Sequence, residues 1–178
     1  MASRIVAFDL GGREVEVMVR PMTTLQSVLR NQLGFTATKD GCRQGGCGSC
    51  TVLVNGRPML SCLLPVEDVA GQRVTTLESI TPAEGLHPIQ QAFLDAHASQ
   101  CGYCTPGMVM VAKALLDHDP APTDEAIRHA LTGNICRCTG YRPIVTAVHS
   151  AAGAVHDAAG AVHDAAEAMR GSAGEQAR

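Results

Sequence analysis

The sequence predicts an α+β N-terminal half followed by an all-α four-helix bundle. Two patterns carry that expectation. Alternating apolar residues separated by turn signals run to about residue 80, and helical periodicity with Pro starts and Gly stops takes over beyond it. A third observation agrees: the eight cysteines divide four and four between the same two halves.

The elements follow in order. RIVAFDL (4–10) and REVEVMV (13–19) alternate around Gly11-Gly12, the pattern of a β-hairpin. In TTLQSVLRNQLG (23–34), Leu25, Val28, Leu29 and Leu33 share one helical face, with a Thr N-cap and Gly34 as stop. The loop GCRQGGCGSC (41–50) comes next. TVLVNGRPML (51–60) carries Asn55-Gly56, a type I′ turn signal, and GQRVTTLESI (71–80) closes the region with further strand.

Residues 1–80 are therefore expected to form one domain and 81–87 a linker, where the composition shifts at TPAEG. A second domain is expected over 88–152. Its first helix starts at Pro88 with Ile89, Ala92, Phe93 and Ala96 on one face, and its second runs from Pro106 to before Pro120. The third has Thr123 as N-cap, two acids in its first turn and Gly133 at its end; the fourth starts at Pro143. Four helices with short connections suit a bundle. The remainder, 153–178, is a near-repeat of seven (AAGAVHD, AAGAVHD, AAEAMRG) that reads as an Ala-rich helical extension, frayed by Gly153 and Gly160.

Composition excludes several functions. A net charge of -3 gives no electrostatic case for nucleic acid, and no 18-residue apolar stretch spans a bilayer. The N-terminus lacks the apolar segment of a signal peptide, so a cytoplasmic protein is expected. Cytosolic thiols are kept reduced, which argues against disulfides. With five aromatic residues and no Trp, the cores are thin, and bound metal is the expected staple.

Cys42, Cys47, Cys50 and Cys62 have the C-x4-C-x2-C spacing plus a distant fourth cysteine of a plant-type [2Fe–2S] site. Gly41, Gly45, Gly46 and Gly48 let that loop wrap closely, with backbone N–H groups aimed at sulfur. Zinc knuckles use paired C-x2-C, so the four-residue gap favours a cluster over zinc. Cys101 and Cys104 (C-x2-C) with Cys136 and Cys138 (C-x-C) are less specific, since such pairs serve zinc, dithiols and clusters alike. Each pair, however, precedes a Pro-started helix whose positive end suits anionic thiolates. No C-x-H is present, which removes the Rieske arrangement, and there is no Walker A or G-x-G-x-x-G motif.

Together LGFTATKDGCRQGGCGSCTVLVNG, LHPIQQAF, QCGYCTPGM and GNICRCTGYRPI resemble the small iron–sulfur subunit of the molybdenum hydroxylases, the xanthine dehydrogenase, aldehyde oxidoreductase and carbon monoxide dehydrogenase family. The resemblance covers roughly residues 4–152. It implies a ferredoxin-like β-grasp domain followed by a four-helix bundle, each with one [2Fe–2S] cluster. Cys42, Cys47, Cys50 and Cys62 would then bind the cluster toward a flavin, and Cys101, Cys104, Cys136 and Cys138 the one toward molybdopterin, with Gln100 and Cys138 beside the pterin. The implied partners are a large molybdopterin-binding subunit plus a medium FAD-binding subunit, in a heterotrimer or its dimer. The implied role is electron relay during oxidation of a small N-heteroaromatic, purine, aldehyde or CO, with no catalytic residue in this chain. A zinc scaffold and a free-standing ferredoxin are the competing readings.

Among other residues, Lys39, Arg43 and Arg137 adjoin cysteines and read first as solvated charge, second as tuning groups. Tyr103 and Tyr141 read as packing that shields the cysteine loops. Met108 and Met110 read as bundle core or partner interface, and no histidine has ligand spacing.

Overall fold

The computed structural model describes residues 2–154. The repeated tail beyond Ala154 lies outside the described residues.

Strands β1 (Arg4–Leu10) and β2 (Arg13–Val19) pair antiparallel from Arg4↔Val19 to Leu10↔Arg13. Gly11 and Gly12 turn between them at φ +59° and +89°, values that suit residues without a Cβ. Helix α1 (Leu25–Asn31) is capped by Thr24, whose side chain accepts from Ser27 N. β3 (Thr51–Val54) and β4 (Arg57–Leu60) form the second hairpin, with Asn55 and Gly56 both at positive φ as a type I′ turn requires. A 3-10 turn at Val66–Val69 leads to β5 (Arg73–Thr75).

The five strands order β2-β1-β5-β3-β4, with β1 and β5 parallel and the other pairs antiparallel. Val6, Phe8 and Leu10 of β1 and Val17 and Val19 of β2 point inward at every second position, against Leu25, Val28 and Leu29 of α1. Burying each such side chain contributes about 1.5–3 kcal/mol. One expectation is corrected here. Only Arg73–Thr75 of the 71–80 segment is strand; Leu77–Ile80 forms a short helix, α2, with Thr76 and Ser79 capping one another.

The second half supplies α3 (Pro88–Asp95), α4 (Thr105–His118), α5 (Asp124–Leu131) and α6 (142–154). Pro88 lies in the first turn of α3 and Pro106 in that of α4, where a missing N–H costs nothing. Ile89, Phe93, Met108, Ala112, Ile127, Ile144 and Val148 meet in one core shared by all of these helices.

The halves touch through β3, whose four residues are all buried. Val52 and Val54 face the α1 core, whereas Leu53 faces Met110 and Ala114 of α4. The period of two thus gives one strand to two cores. Met108 and Met110 are both interior, one within the helical core and one at this junction.

Candidate metal centres

The loop before the first three cysteines is strapped down before it reaches them. Gln26 Nε2 donates to the Lys39 carbonyl at 2.7 Å, and Arg30 Nη1 donates to the carbonyls of Thr36 and Thr38, each at 2.9 Å. Glu78 Oε1 accepts from Ala37 N at 2.8 Å, and Lys39 N donates to Ser49 O at 3.1 Å, which clips the two ends of the loop together. With these bonds on α1 and α2, the loop starts from a fixed base.

The first four cysteines meet as two contacting pairs, Cys42 with Cys47 and Cys50 with Cys62. Backbone N–H groups of Gln44, Gly46 and Cys47 aim at Cys42 Sγ, with Gly46 N at 3.2 Å. These donors, Gln44 first, hold the Cys42 thiol down to about 7. Burial dominates at Cys50 and pushes its thiol up to about 11. A methyl group on Gly41 would sit 2.7 Å from Cys47 Sγ, so there the loop closes over its own sulfur, whereas one on Gly45 would stand 2.5 Å from Leu63 and one on Gly46 would meet nothing within 4 Å. Gly48 has a different reason to be glycine. Its neighbours are Gly133 and Asn134 of the second half rather than sulfur.

The second four also meet as two pairs, Cys104 with Cys136 and Cys101 with Cys138. Cys104 is the N-cap of α4, and burial pushes its thiol up to about 12. Burial opposes ionisation of Cys136 too, but the Thr139 hydroxyl at 3.0 Å and the Thr139 N–H at 3.4 Å outweigh it and bring that thiol below its ordinary value. Contact with Cys101 raises Cys138. Cys104 and Cys136 are buried, whereas Cys101, Cys138 and Gln100 are exposed on the rim.

Sulfurs meeting two by two, with amide donors directed at Cys42 and Cys136, are compatible with a binuclear cluster in which each iron takes two thiolates. Among the described residues, no three His, Cys, Asp or Glu side chains converge to hold a single metal ion.

Lys39, Arg43, Tyr141 and Tyr103 each have a protein partner. Arg43 pairs with Asp40, so the nearest carboxylate answers its charge. Lys39 Nζ donates to Thr36 O at 3.1 Å. Tyr141 is a clasp: its hydroxyl accepts from Cys136 N at 2.9 Å and donates to Asn134 O at 3.1 Å. Tyr103 is 46% exposed and donates to the Asp40 carbonyl. Sequence reasoning missed Asn134, which is 4% exposed and donates to Gly48 O at 3.0 Å, and Ile135, whose N–H donates to Cys47 O at 3.0 Å. Both lie beside Cys136 and reach the first cysteine loop, a long-range pairing with no local signature.

Two domain families match the chain. A 2Fe-2S iron-sulfur cluster binding domain matches residues 3–100 and a [2Fe-2S] binding domain matches 76–149. One of the subunits of the nicotinate dehydrogenase of Pseudomonas putida is 46% identical over 147 residues, covering 83% of this chain and 94% of that protein. The nicotinate dehydrogenase small FeS subunit of Eubacterium barkeri is 44% identical over 146 residues, covering 82% and 93%. Among solved structures, quinoline 2-oxidoreductase from Pseudomonas putida 86 superposes with a TM-score of 0.84 at 38% identity, over 87% of this chain and 97% of that chain. The N-terminal sheet and helix are those of the ferredoxin-like fold of such subunits. The chain belongs to the small [2Fe–2S] iron–sulfur subunits of the molybdenum hydroxylase family, and its work is electron transfer as part of an oxidoreductase with partner subunits.

Proposed function

We propose that Cys42, Cys47, Cys50 and Cys62 hold one [2Fe–2S] cluster and that Cys101, Cys104, Cys136 and Cys138 hold the other. Bound there, the clusters supply reversible one-electron chemistry, and an aromatic N-heterocycle is the substrate class that the relatives' names favour. The observation that carries the assignment is the gathering of eight cysteines into four contacting pairs, two per quartet.

The chain's own residues hold, shield and orient. Buried Cys50, Cys62, Cys104 and Cys136 keep water from one side of each site, and the Gly46 and Thr139 N–H groups stabilise negative charge on sulfur. The exposed rim of Gln100, Cys101 and Cys138 supports docking of a large molybdopterin-binding subunit there, with Gln100 and Cys138 beside the pterin. The half-exposed Cys42 side supports docking of a medium FAD-binding subunit, within a heterotrimer or its dimer. We read residues 1–80 as the ferredoxin-like domain, 81–87 as linker and 88–152 as a four-helix bundle. Among the described residues no helix is long and apolar enough to cross a membrane, and a cytoplasmic location suits a chain of reduced thiols.

The test is anaerobic purification with tagged chain. A red-brown protein containing equal iron and acid-labile sulfide, with larger molybdenum- and flavin-containing chains co-purifying, is expected. Colourless material with stoichiometric zinc overturns the assignment.

A further inference from the structure

We propose that Gly48, Gly107 and Asn134 are positioning residues that set the distance between the two cysteine sites. They thereby set the magnetic and electronic coupling between the clusters held there. This rests on the two-cluster reading above and goes beyond it, because nothing in that reading requires these three positions.

At the junction two main chains meet with no side chain between them. Gly48 lies between Cys47 and Cys50, and Gly107 lies in the first turn of α4, three residues after Cys104. A methyl group on Gly107 would stand 2.4 Å from Gly48 O and 2.9 Å from Asn134 Nδ2. One on Gly48 would stand 2.4 Å from Gly133 O and 2.5 Å from Asn134 Cγ. The first obstacle in each case is backbone, which cannot swing aside as a flexible side chain does. Adding one carbon at either place must therefore part the two segments.

Hydrogen bonds hold the contact shut. Gly48 O accepts from Asn134 Nδ2 at 3.0 Å, from Thr51 N at 3.0 Å and from Thr51 Oγ1 at 2.7 Å. Beside it, Ile135 N donates to Cys47 O at 3.0 Å. Opening the junction leaves the buried Asn134 amide without its partner, which is costly, while Gly48 O keeps both Thr51 donors. The Tyr141 clasp ties Asn134 O to Cys136 N, so the segment that reaches Gly48 also carries Cys136. Each end of the contact is thus one to three residues from a proposed ligand. Dipolar coupling falls with the cube of separation and electron tunnelling falls exponentially, so a small parting is readable where folding is not.

The experiment uses the full chain, anaerobically loaded with iron and sulfide and fully reduced. Low-temperature and pulsed EPR read the splitting between the two clusters, and metal analysis reads their occupancy. Two separate signals in the parent chain test the two-cluster reading; the splitting tests the spacing. Gly107→Ala is expected to keep both signals and the parent iron content while the splitting weakens. Asn134→Asp, the same shape with the donor replaced by oxygen facing Gly48 O, is expected to weaken it too. Parent splitting in both variants overturns the proposal. Loss of a cluster from both overturns it as well, by showing that the contact serves assembly rather than spacing.

Discussion

Tyr103 Oη donates to the Asp40 carbonyl at 2.5 Å, so a residue lodged between Cys101 and Cys104 grips the chain two residues before Cys42. Removing the hydroxyl alone tests that grip. Tyr103→Phe should lower the stability of the full chain by about 0.5–1.5 kcal/mol, toward the lower end because the ring is partly exposed. Urea unfolding measures this, and an unchanged midpoint would show the bond to be idle.

The quartets should be separable by spectroscopy. Cys47→Ser should abolish one of the two EPR signals of the reduced protein and keep the other, while Cys136→Ser should do the reverse. Circular dichroism confirms that each variant is folded. A folded single variant lacking both signals would refute the division into two sites.

Leu53 joins the sheet to α4 with 2% of its surface exposed. Leu53→Ala should cost about 2–5 kcal/mol, the range for a buried leucine truncation. The loss should appear as a lower urea midpoint for both halves together, read by far-ultraviolet dichroism and by proteolysis of the helical half.

The thiols give the iron-free chain a defined pH dependence. Cys50, raised from 9.0 to about 11, contributes stability that is present below pH 9.0 and is lost as pH climbs through about 11. Cys104, raised to about 12, acts in the same direction. Cys42, lowered from 9.0 to about 7, contributes stability present above 9.0 and lost as pH falls through about 7. The urea midpoint should therefore rise from neutral to mildly alkaline pH and fall beyond it. Brief alkylation near neutral pH, mapped by mass spectrometry, should modify Cys42 first and Cys50 and Cys104 last.

Much of this architecture is legible in the residue order because it is local. The alternation in Arg4–Leu10, the Asn55-Gly56 turn and the prolines opening α3 and α4 each encode their conformation within a few positions. The cysteine spacings suggest two quartets, and the structure shows contacts of cysteines in pairs, Cys42 with Cys47, Cys50 with Cys62, Cys104 with Cys136 and Cys101 with Cys138. Thr76 and Ser79 instead cut β5 short, since their mutual cap favours one turn of helix over a longer strand. Less legible is what the halves do to each other. Gly48 looks like one more loop glycine until Asn134, 86 residues away, is found against it. Arg43, though beside Cys42, answers to Asp40 instead of to sulfur.

A strand that turns alternate residues to opposite sides has no outer face left to give to water. Lifting the first cysteine module out as a miniature ferredoxin would uncover an oily spot at Leu53 on an inner strand of its sheet, and clumping would follow unless that position were repainted with a polar residue. The helical module would bare Met110 and Ala114 in the same operation. Anyone transplanting one module must carry a lid for it.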